Sequence, residues 1–349
     1  MLIQKFSHSI FSNYSSSIVN PKLIKIRDNI FIALFELMKL VPAKYTIMKG
    51  ISEHKINPRI PIIETSSGTY ALGLGIVCAE LGIPFFIISD PVIDQTLINR
   101  LKQLGGDVQI ISGTQNSFLD VQTCRLEVLQ EHLIKNPQLF WTRQYDNPDN
   151  RVAYKDFANF LLENIKSNFT LVGAVGSGGS TSGTIEVLRK HNQKIRLVGV
   201  DTFGSILFGL KKGERKLRGL GNSVMPQNLV HEYFDQVHWI TQDIAVAATR
   251  DLHSTYSLFC GPTTGAVYNV GRWIAKDENK VVVLISPDTG HRYIDTVYND
   301  EWIKKHNINL SEYSSPKHID NLSNAHQPWS YLNWDRRKYH EVVNNFKLS

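Results

Sequence analysis

The stretch Phe169-Thr170-Leu171-Val172-Gly173-Ala174-Val175-Gly176-Ser177-Gly178-Gly179-Ser180 decides how the chain is read. Its apolar run over 169–175 predicts a strand, and a helical pattern over 182–190 follows the glycine-and-serine turn. Glycine takes positive φ without a Cβ penalty and lets backbone come close to a ligand. The hydroxyls of Ser177 and Ser180, with the unpaired N–H groups of the next helix, form an anion cradle suited to phosphate. A tight βα turn with no ligand is the competing reading. No Gly-Lys-Ser/Thr follows, so the turn is not a Walker loop. It also lacks the acidic partner of a GxGxxG fingerprint, which makes a nucleotide the weaker reading.

Strand–helix units extend on both sides of this turn. Upstream, strands are predicted over 60–64, 84–89 and 108–111, with helices over 69–81 and 94–104. Downstream, after the polar segment 146–150, helices are predicted over 154–165 and 184–190 and strands over 195–200, 237–240 and 281–286. Short apolar strands alternating with helices predict an α/β fold with parallel sheets, divided into two layer-packed domains. The cleft between them, at the strand carboxyl ends, is the expected ligand site. Beyond residue 306 the chain turns irregular and polar yet carries Trp329, Trp334 and several tyrosines, a density that predicts docking on its own or a partner subunit.

The 349 residues are enough for two sizeable cores, and 42% hydrophobic composition is that of a globular protein. A net charge of +6 is spread without a basic tract, which argues against nucleic acid. Cys78, Cys124 and Cys260 form no CxxC pair, as expected of buried thiols in a reducing compartment. No apolar segment reaches membrane-spanning length and Met1-Leu2-Ile3-Gln4-Lys5 lacks a signal-peptide core, so a cytoplasmic protein is expected. His54, His191, His231, His253 and His291 have no metal-ligand spacing, and no metal is expected.

Three further motifs join the glycine turn. Glu64-Thr65-Ser66-Ser67-Gly68-Thr69 closes a strand and opens a helix, where hydroxyls and N–H groups suit a carboxylate or simply cap the helix. Gly219-Leu220-Gly221-Asn222-Ser223 is a loop preceding Pro226, and Ser286-Pro287-Asp288-Thr289-Gly290-His291-Arg292-Tyr293 ends the apolar strand over 281–285. In this order, over residues 18–300, the segments resemble the pyridoxal-phosphate enzymes of fold type II, the cysteine synthase, cystathionine β-synthase and tryptophan synthase β group. Ile18-Val19-Asn20-Pro21-Lys22-Leu23 is similar to the family's Ile-Gly-Asn-Thr-Pro-Leu entry in degraded form. Gly176, Ser177, Gly178, Gly179 and Ser180 correspond to its Gly-Thr-Gly-Gly-Thr phosphate loop. Ser66, Ser67, Gly68, Thr69, Tyr70 and Ala71 fall on its Thr-Ser-Gly-Asn-Thr-Gly carboxylate loop, and the segment 258–266 resembles its Gly-x-Ser-Ser-Gly-Ala piece.

The resemblance implies two parallel- or mostly parallel-sheet three-layer domains with pyridoxal 5'-phosphate in the cleft. Residues 1–40 and 146–305 would form the larger, cofactor-binding domain, 41–145 the smaller substrate-side domain, and 306–349 an aromatic-rich C-terminal extension. It also implies a lysine joined to the cofactor, release of that lysine by an incoming amino acid, removal of the α-proton, and departure of the β-substituent to leave an aminoacrylate. Thr289 falls where a neutral hydroxyl meets the pyridine nitrogen. The family's Asn-Pro-x-x-Ser-x-Lys is eroded here to Glu36-Leu37-Met38-Lys39-Leu40-Val41-Pro42-Ala43-Lys44-Tyr45, which puts Lys39 at the cofactor lysine and leaves Lys44 and Lys49 as the other choices. Lys39 also borders an apolar run that would lower its pKa.

Thr69 stands in place of an asparagine and Tyr70 in place of a small residue, departures that point to an unusual substrate or nucleophile. The implied reaction is β-replacement on O-acetylserine or O-phosphoserine. Sulfide is one nucleophile and an amine is another, as in relatives making 2,3-diaminopropionate precursors of natural products. Arg218, directly before the loop holding Gly221, is the first choice to meet a phosphate leaving group, with Arg143 and Arg215 behind it. β-Elimination without a second substrate, and a non-catalytic partner protein that kept the fold, are the alternatives. Relatives of this kind are usually homodimers.

Overall fold

The computed structural model describes residues 10–111, 121–217 and 219–343. Twelve strands are present among them: β1 (Lys22–Arg27), β2 (Ile30–Leu34), β3 (Ile62–Thr65), β4 (Phe85–Ser89), β5 (Gly106–Ile110), β6 (Phe140–Trp141), β7 (Phe169–Ala174), β8 (Arg196–Thr202), β9 (Gln236–Ile240), β10 (Val281–Ser286), β11 (Lys317–His318) and β12 (Trp329–Asn333). The helices are α1 (Tyr14–Ile18), α2 (Leu40–Ser52), α3 (Thr69–Leu81), α4 (Gln95–Gln103), α5 (Val121–Lys135), α6 (Asp149–Val152), α7 (Lys155–Asn164), α8 (Gly179–His191), α9 (Gln242–Tyr256), α10 (Pro262–Ile274), α11 (Asp300–Lys305) and α12 (Tyr339–Val343). No helix among the described residues is long and apolar enough to cross a membrane.

The strands form two sheets. One has eight strands in the order β1-β2-β10-β7-β8-β9-β12-β11, and the other has four in the order β5-β4-β3-β6. The small sheet is parallel throughout, and the large one is parallel except where β1 meets β2 and β12 meets β9. Because side chains alternate across a strand, β10 feeds two cores. Val283 and Ile285 join Leu161 of α7 and Leu188 of α8, while Val282 and Leu284 join Ala248 of α9 and Val267 of α10. The small sheet is covered in the same way: Ile62 and Ile87 face α2, α3 and α4, and Ile63 and Ile88 face Leu129 of α5. These are the two three-layer α/β domains that the alternating pattern predicts.

Three differences from the sequence expectations have local causes. Helix α8 begins at Gly179, ahead of the expected 184, because the low-propensity run Gly179-Ser180-Thr181-Ser182-Gly183 is held helical by packing. Strand β3 begins at Ile62, since Pro61 has no N–H to give a ladder. The segment after residue 306 supplies β11 and β12 to the large sheet, and Trp329 and Trp334 are buried there.

Candidate active site

The carboxyl ends of β3, β7 and β10 meet, and the loops that follow them carry the candidate residues. After β7, the turn Gly176-Ser177-Gly178 feeds α8. Gly178 has φ of 77°, and a Cβ there would lie 2.5 Å from the Leu229 backbone. A Cβ on Gly179 would lie 2.4 Å from Asn150 Oδ1. Both positions therefore require glycine, for conformation at one and close approach at the other. The first bond of α8 runs from Ser182 N–H to the Gly178 carbonyl at 2.9 Å, so the N–H groups of the first turn face outward from the helix end without intrahelical partners. The hydroxyls of Ser177 and Ser180 sit beside them, both residues being buried. The turn carries no acidic side chain, and this donor set fits a phosphate dianion.

Lys39 is delivered to this turn by three features. Residues 35–38 run along the end of β10, with Phe35 N–H donating to the Ser286 carbonyl at 2.9 Å and Met38 N–H to the Pro287 carbonyl at 2.8 Å. Lys39 then stands at the N-terminal boundary of α2, whose Pro42 falls in the first turn, where the missing N–H costs no helical bond. Gly73 of α3 sits against this start: a Cβ there would lie 2.9 Å from the Leu40 backbone. As a result, Lys39 Nζ donates to Ser177 Oγ at 3.0 Å. Desolvation pulls its pKa down to about 8. The other two lysines are engaged elsewhere, Lys44 with Ser16 Oγ at 2.7 Å and Lys49 with Asp149 at 2.6 Å.

The loop after β3 is built differently. Ser66 Oγ accepts from Gly68 N–H and Ala71 N–H, both at 3.3 Å, so this hydroxyl caps α3. Ser67 is held by two arginines. Arg125 of α5 donates to Ser67 Oγ at 3.3 Å while paired with Asp90 at 3.0 Å, and Arg292 donates to the Ser67 carbonyl at 3.2 Å while paired with Asp94 at 2.7 Å. Gly68 keeps the loop open beside Arg292, whose Nη1 is 3.7 Å from where a Cβ would stand. Thr69 and Thr289 line one cavity. Tyr70, expected to reshape the pocket, instead has its ring in the core of the smaller domain and is 2% exposed.

The remaining candidates frame these loops. Thr289 Oγ1 lies 3.2 Å from His291 Nδ1. Its neighbour Asp288 is buried, which raises its carboxyl to about 6 against the opposing pull of the Tyr293 hydroxyl and Arg292. Gly221 has φ of 74° and donates its N–H to the Val175 carbonyl at 2.8 Å, bracing the glycine turn from below. Arg215 secures that loop through the Gly221 carbonyl at 2.9 Å, and Arg143 forms a surface pair with Asp146. Arg218 lies outside the described residues.

Several contributors were given no role of their own in the sequence reading. Glu64 is fully buried; burial raises its pKa, and bonds from Thr142, Thr65 N–H, Trp141 and Gln144 N–H oppose that. Gln144 donates to the Thr65 carbonyl at 2.7 Å and receives Asn150 Nδ2 on its own carbonyl at 2.6 Å, so one polar chain ties the loop after β3 to the wall of the glycine turn. Asn222 Nδ2 reaches the Gly176 carbonyl at 3.4 Å. Sequence offered no sign of Arg125, Gln144 or Asn150, because each acts across a long separation.

Similarity to known proteins identifies the family. Residues 38–288 match the family model described as pyridoxal-phosphate dependent enzyme. The chain is 32% identical over 273 residues to N-(2-amino-2-carboxyethyl)-L-glutamate synthase of Cupriavidus metallidurans, covering 76% of this chain and 79% of that protein. It is 33% identical to the protein of the same name from Ralstonia nicotianae over 273 residues, 76% of this chain and 79% of that protein. Among solved structures it is similar to cysteine synthase from Entamoeba histolytica, with a TM-score of 0.79, 22% identity, and coverage of 90% of this chain and 99% of that one. These matches show that the chain belongs to the pyridoxal-phosphate dependent enzymes, in their fold-type II branch.

Proposed function

We propose that this enzyme joins an activated serine, O-acetylserine or O-phosphoserine, to an amine by β-replacement, with the α-amine of glutamate as the nucleophile. The observation that carries the reading is the placement of Lys39 Nζ 3.0 Å from Ser177 Oγ, which puts a desolvated amine against the phosphate cradle. The nucleophile is suggested by the relatives called N-(2-amino-2-carboxyethyl)-L-glutamate synthase, whose product name describes a three-carbon amino acid bonded to the glutamate nitrogen.

Gly176, Ser177, Gly178, Gly179 and Ser180 would hold the phosphate, Thr289 the ring nitrogen, and Lys39 the aldehyde carbon. Bound there, the cofactor supplies an electron sink for the pair left on the amino-acid Cα. Lys39 Nζ takes the α-proton, a task suited to an amine with pKa near 8. Ser67, Gly68 and Thr69 orient the substrate carboxylate, with Arg292 fixing the loop from the larger domain. In the net reaction the Cβ–O bond breaks and the oxygen leaves with its pair as acetate or phosphate. The amine nitrogen bonds to Cβ and loses one proton, and nothing is oxidised or reduced.

The test is direct. Holoenzyme given O-acetylserine or O-phosphoserine with glutamate should release acetate or phosphate and form N-(2-amino-2-carboxyethyl)-glutamate, detected by mass spectrometry. Lys39→Ala should lower turnover by about 1,000-fold or more. Cysteine from sulfide with no amine adduct, or pyruvate regardless of added nucleophile, would overturn the reading in favour of sulfide transfer or elimination.

A further inference from the structure

Glu64, the last but one residue of β3, is fully buried directly before the loop 66–69, and the reaction above gives it no task. Strand β6 pairs with β3 at Ile62–Phe140 and Ile63–Trp141 and ends there, so the chain from Trp141 to Gln144 passes over Glu64. Oε1 accepts from Thr65 N–H at 2.6 Å and from Trp141 Nε1 at 3.2 Å, and Oε2 accepts from Thr142 Oγ1 at 2.6 Å and from Gln144 N–H at 3.1 Å. Three of these donors, the two backbone N–H groups and the indole, cannot accept, so the carboxyl must turn lone pairs toward them. The ionised form does so on every side, and such charge-assisted bonds are the strong ones.

The carboxylate also gives direction to a longer chain. Thr142 has one hydroxyl proton and gives it to Glu64, which leaves its oxygen as an acceptor. The Tyr70 hydroxyl meets Thr142 there: burial and the Glu64 charge push its pKa up, and the hydrogen bond with Thr142 opposes them. Tyr70 is the second residue of α3, and its ring is fixed in the core of the smaller domain. Ser66 to Thr69 therefore lie between two anchors, Thr65 with its N–H on Glu64 and Tyr70 tied to Glu64 through Thr142. Gln144 adds a third tie, giving its backbone N–H to Glu64 and its side-chain N–H to the Thr65 carbonyl at 2.7 Å.

We infer that Glu64 is a positioning residue for the first substrate: its carboxylate clamps both ends of the loop 66–69, and Thr142 and Tyr70 carry the clamp to the start of α3. Ser67, Gly68 and Thr69 are thereby held at the spacing that receives the amino-acid carboxylate. This rests on the β-replacement reading above and adds what sets the geometry of its substrate loop. It also gives Tyr70, which stands in place of a small residue, a task outside the pocket. Because Glu64 acts only through that loop, its loss weakens substrate binding and spares the proton transfer at Lys39.

The experiment uses cofactor-loaded enzyme with O-acetylserine and O-phosphoserine in turn, reading binding from the shift of the cofactor absorbance and turnover from released acetate or phosphate. Glu64→Gln sets an amide NH2 against at least one group that can only donate. It should raise Kd and KM for the activated serine about 30-fold, with kcat within about threefold of wild type. Thr142→Val should raise both about tenfold and Tyr70→Phe about fivefold, while Thr142→Ser, which keeps the hydroxyl, should bring them back to within about twofold of wild type. A merely structural role would lower stability and leave Kd of the folded, loaded protein unchanged. Wild-type Kd in loaded Glu64→Gln, or equal values for Thr142→Val and Thr142→Ser, would overturn the assignment, and the Thr142 pair decides it if Glu64→Gln does not fold. Wild type that binds an activated serine yet releases neither acetate nor phosphate would remove the β-replacement reading, with the clamp still judged on Kd.

Discussion

The loops after β7 and β3 occupy equivalent places, each leaving a parallel strand and entering a helix, yet they are stabilised in opposite ways. The loop after β7 is fixed from within. Glycines let Leu229 and Asn150 press against its backbone, and its donors are left for a ligand. The loop after β3 is fixed from outside, because the Ser66 hydroxyl is spent on the cap of α3 and Ser67 is held by Arg125 and Arg292. This difference matches the roles proposed for them: a permanently held anion calls for a rigid turn, and a substrate that comes and goes for a loop hung from polar contacts.

The sharpest break in that contrast is Gly178→Ala. It combines positive φ with a Cβ 2.5 Å from the immovable Leu229 backbone, and should cost about 4 kcal/mol of stability along with most of the bound cofactor. Thermal unfolding and the visible absorbance of the purified protein measure both losses.

Next come the two arginines, which should separate from each other. The Arg125–Asp90 pair has side-chain exposures of 5% and 11%, so Arg125→Met leaves a buried carboxylate alone and should destabilise by about 3 kcal/mol. The Arg292–Asp94 pair, at 24% and 41%, is partly solvated, and Arg292→Gln should cost about 1 kcal/mol. Its main effect should be on KM for the activated serine. Urea melts of both variants with steady-state kinetics check the ranking, and equal stability losses would remove the distinction between core and suspension.

The gentlest test is pH. Burial disfavours the Lys39 ammonium, so its proton leaves at about 8 in place of the ordinary 10.5. Only the neutral amine attacks a carbonyl. Reconstitution of cofactor-free protein should therefore slow about tenfold per pH unit below 8 and level off above it. A rate still climbing past pH 10 would mean that the amine is solvated.

Much of the frame could be read from the chain. Helix α3 spans Thr69–Leu81 as its pattern predicts, since a thirteen-residue run of small and apolar side chains broken only by Glu80 reads as a buried helix beside a strand of similar character. Strand β10 was equally plain, because Val281–Ser286 is apolar throughout, as a strand buried on both faces must be. Helices α9 and α10 were not read, although together they cover one face of the large sheet. Their starts follow a threonine and a glycine in stretches without strong periodic contrast. Local pattern favoured Lys39 over Lys44 and Lys49, and the fold separates the three further, since all lie in or beside one helix and differ in what packs against them.

What the sequence determined by itself is the anion cradle, since its chemistry is local: glycines, hydroxyls and a helix start sit within a few residues of an apolar strand. Tertiary structure brings the Lys39 amine to that turn and decides which arginines hold the opposite loop. Lys39 and Ser177 are 138 positions apart and meet because Gly73 admits the start of α2 at backbone contact, while Arg292 crosses 225 positions to reach Ser67. Contacts of that range follow from how whole layers pack, and no window of neighbouring residues encodes them.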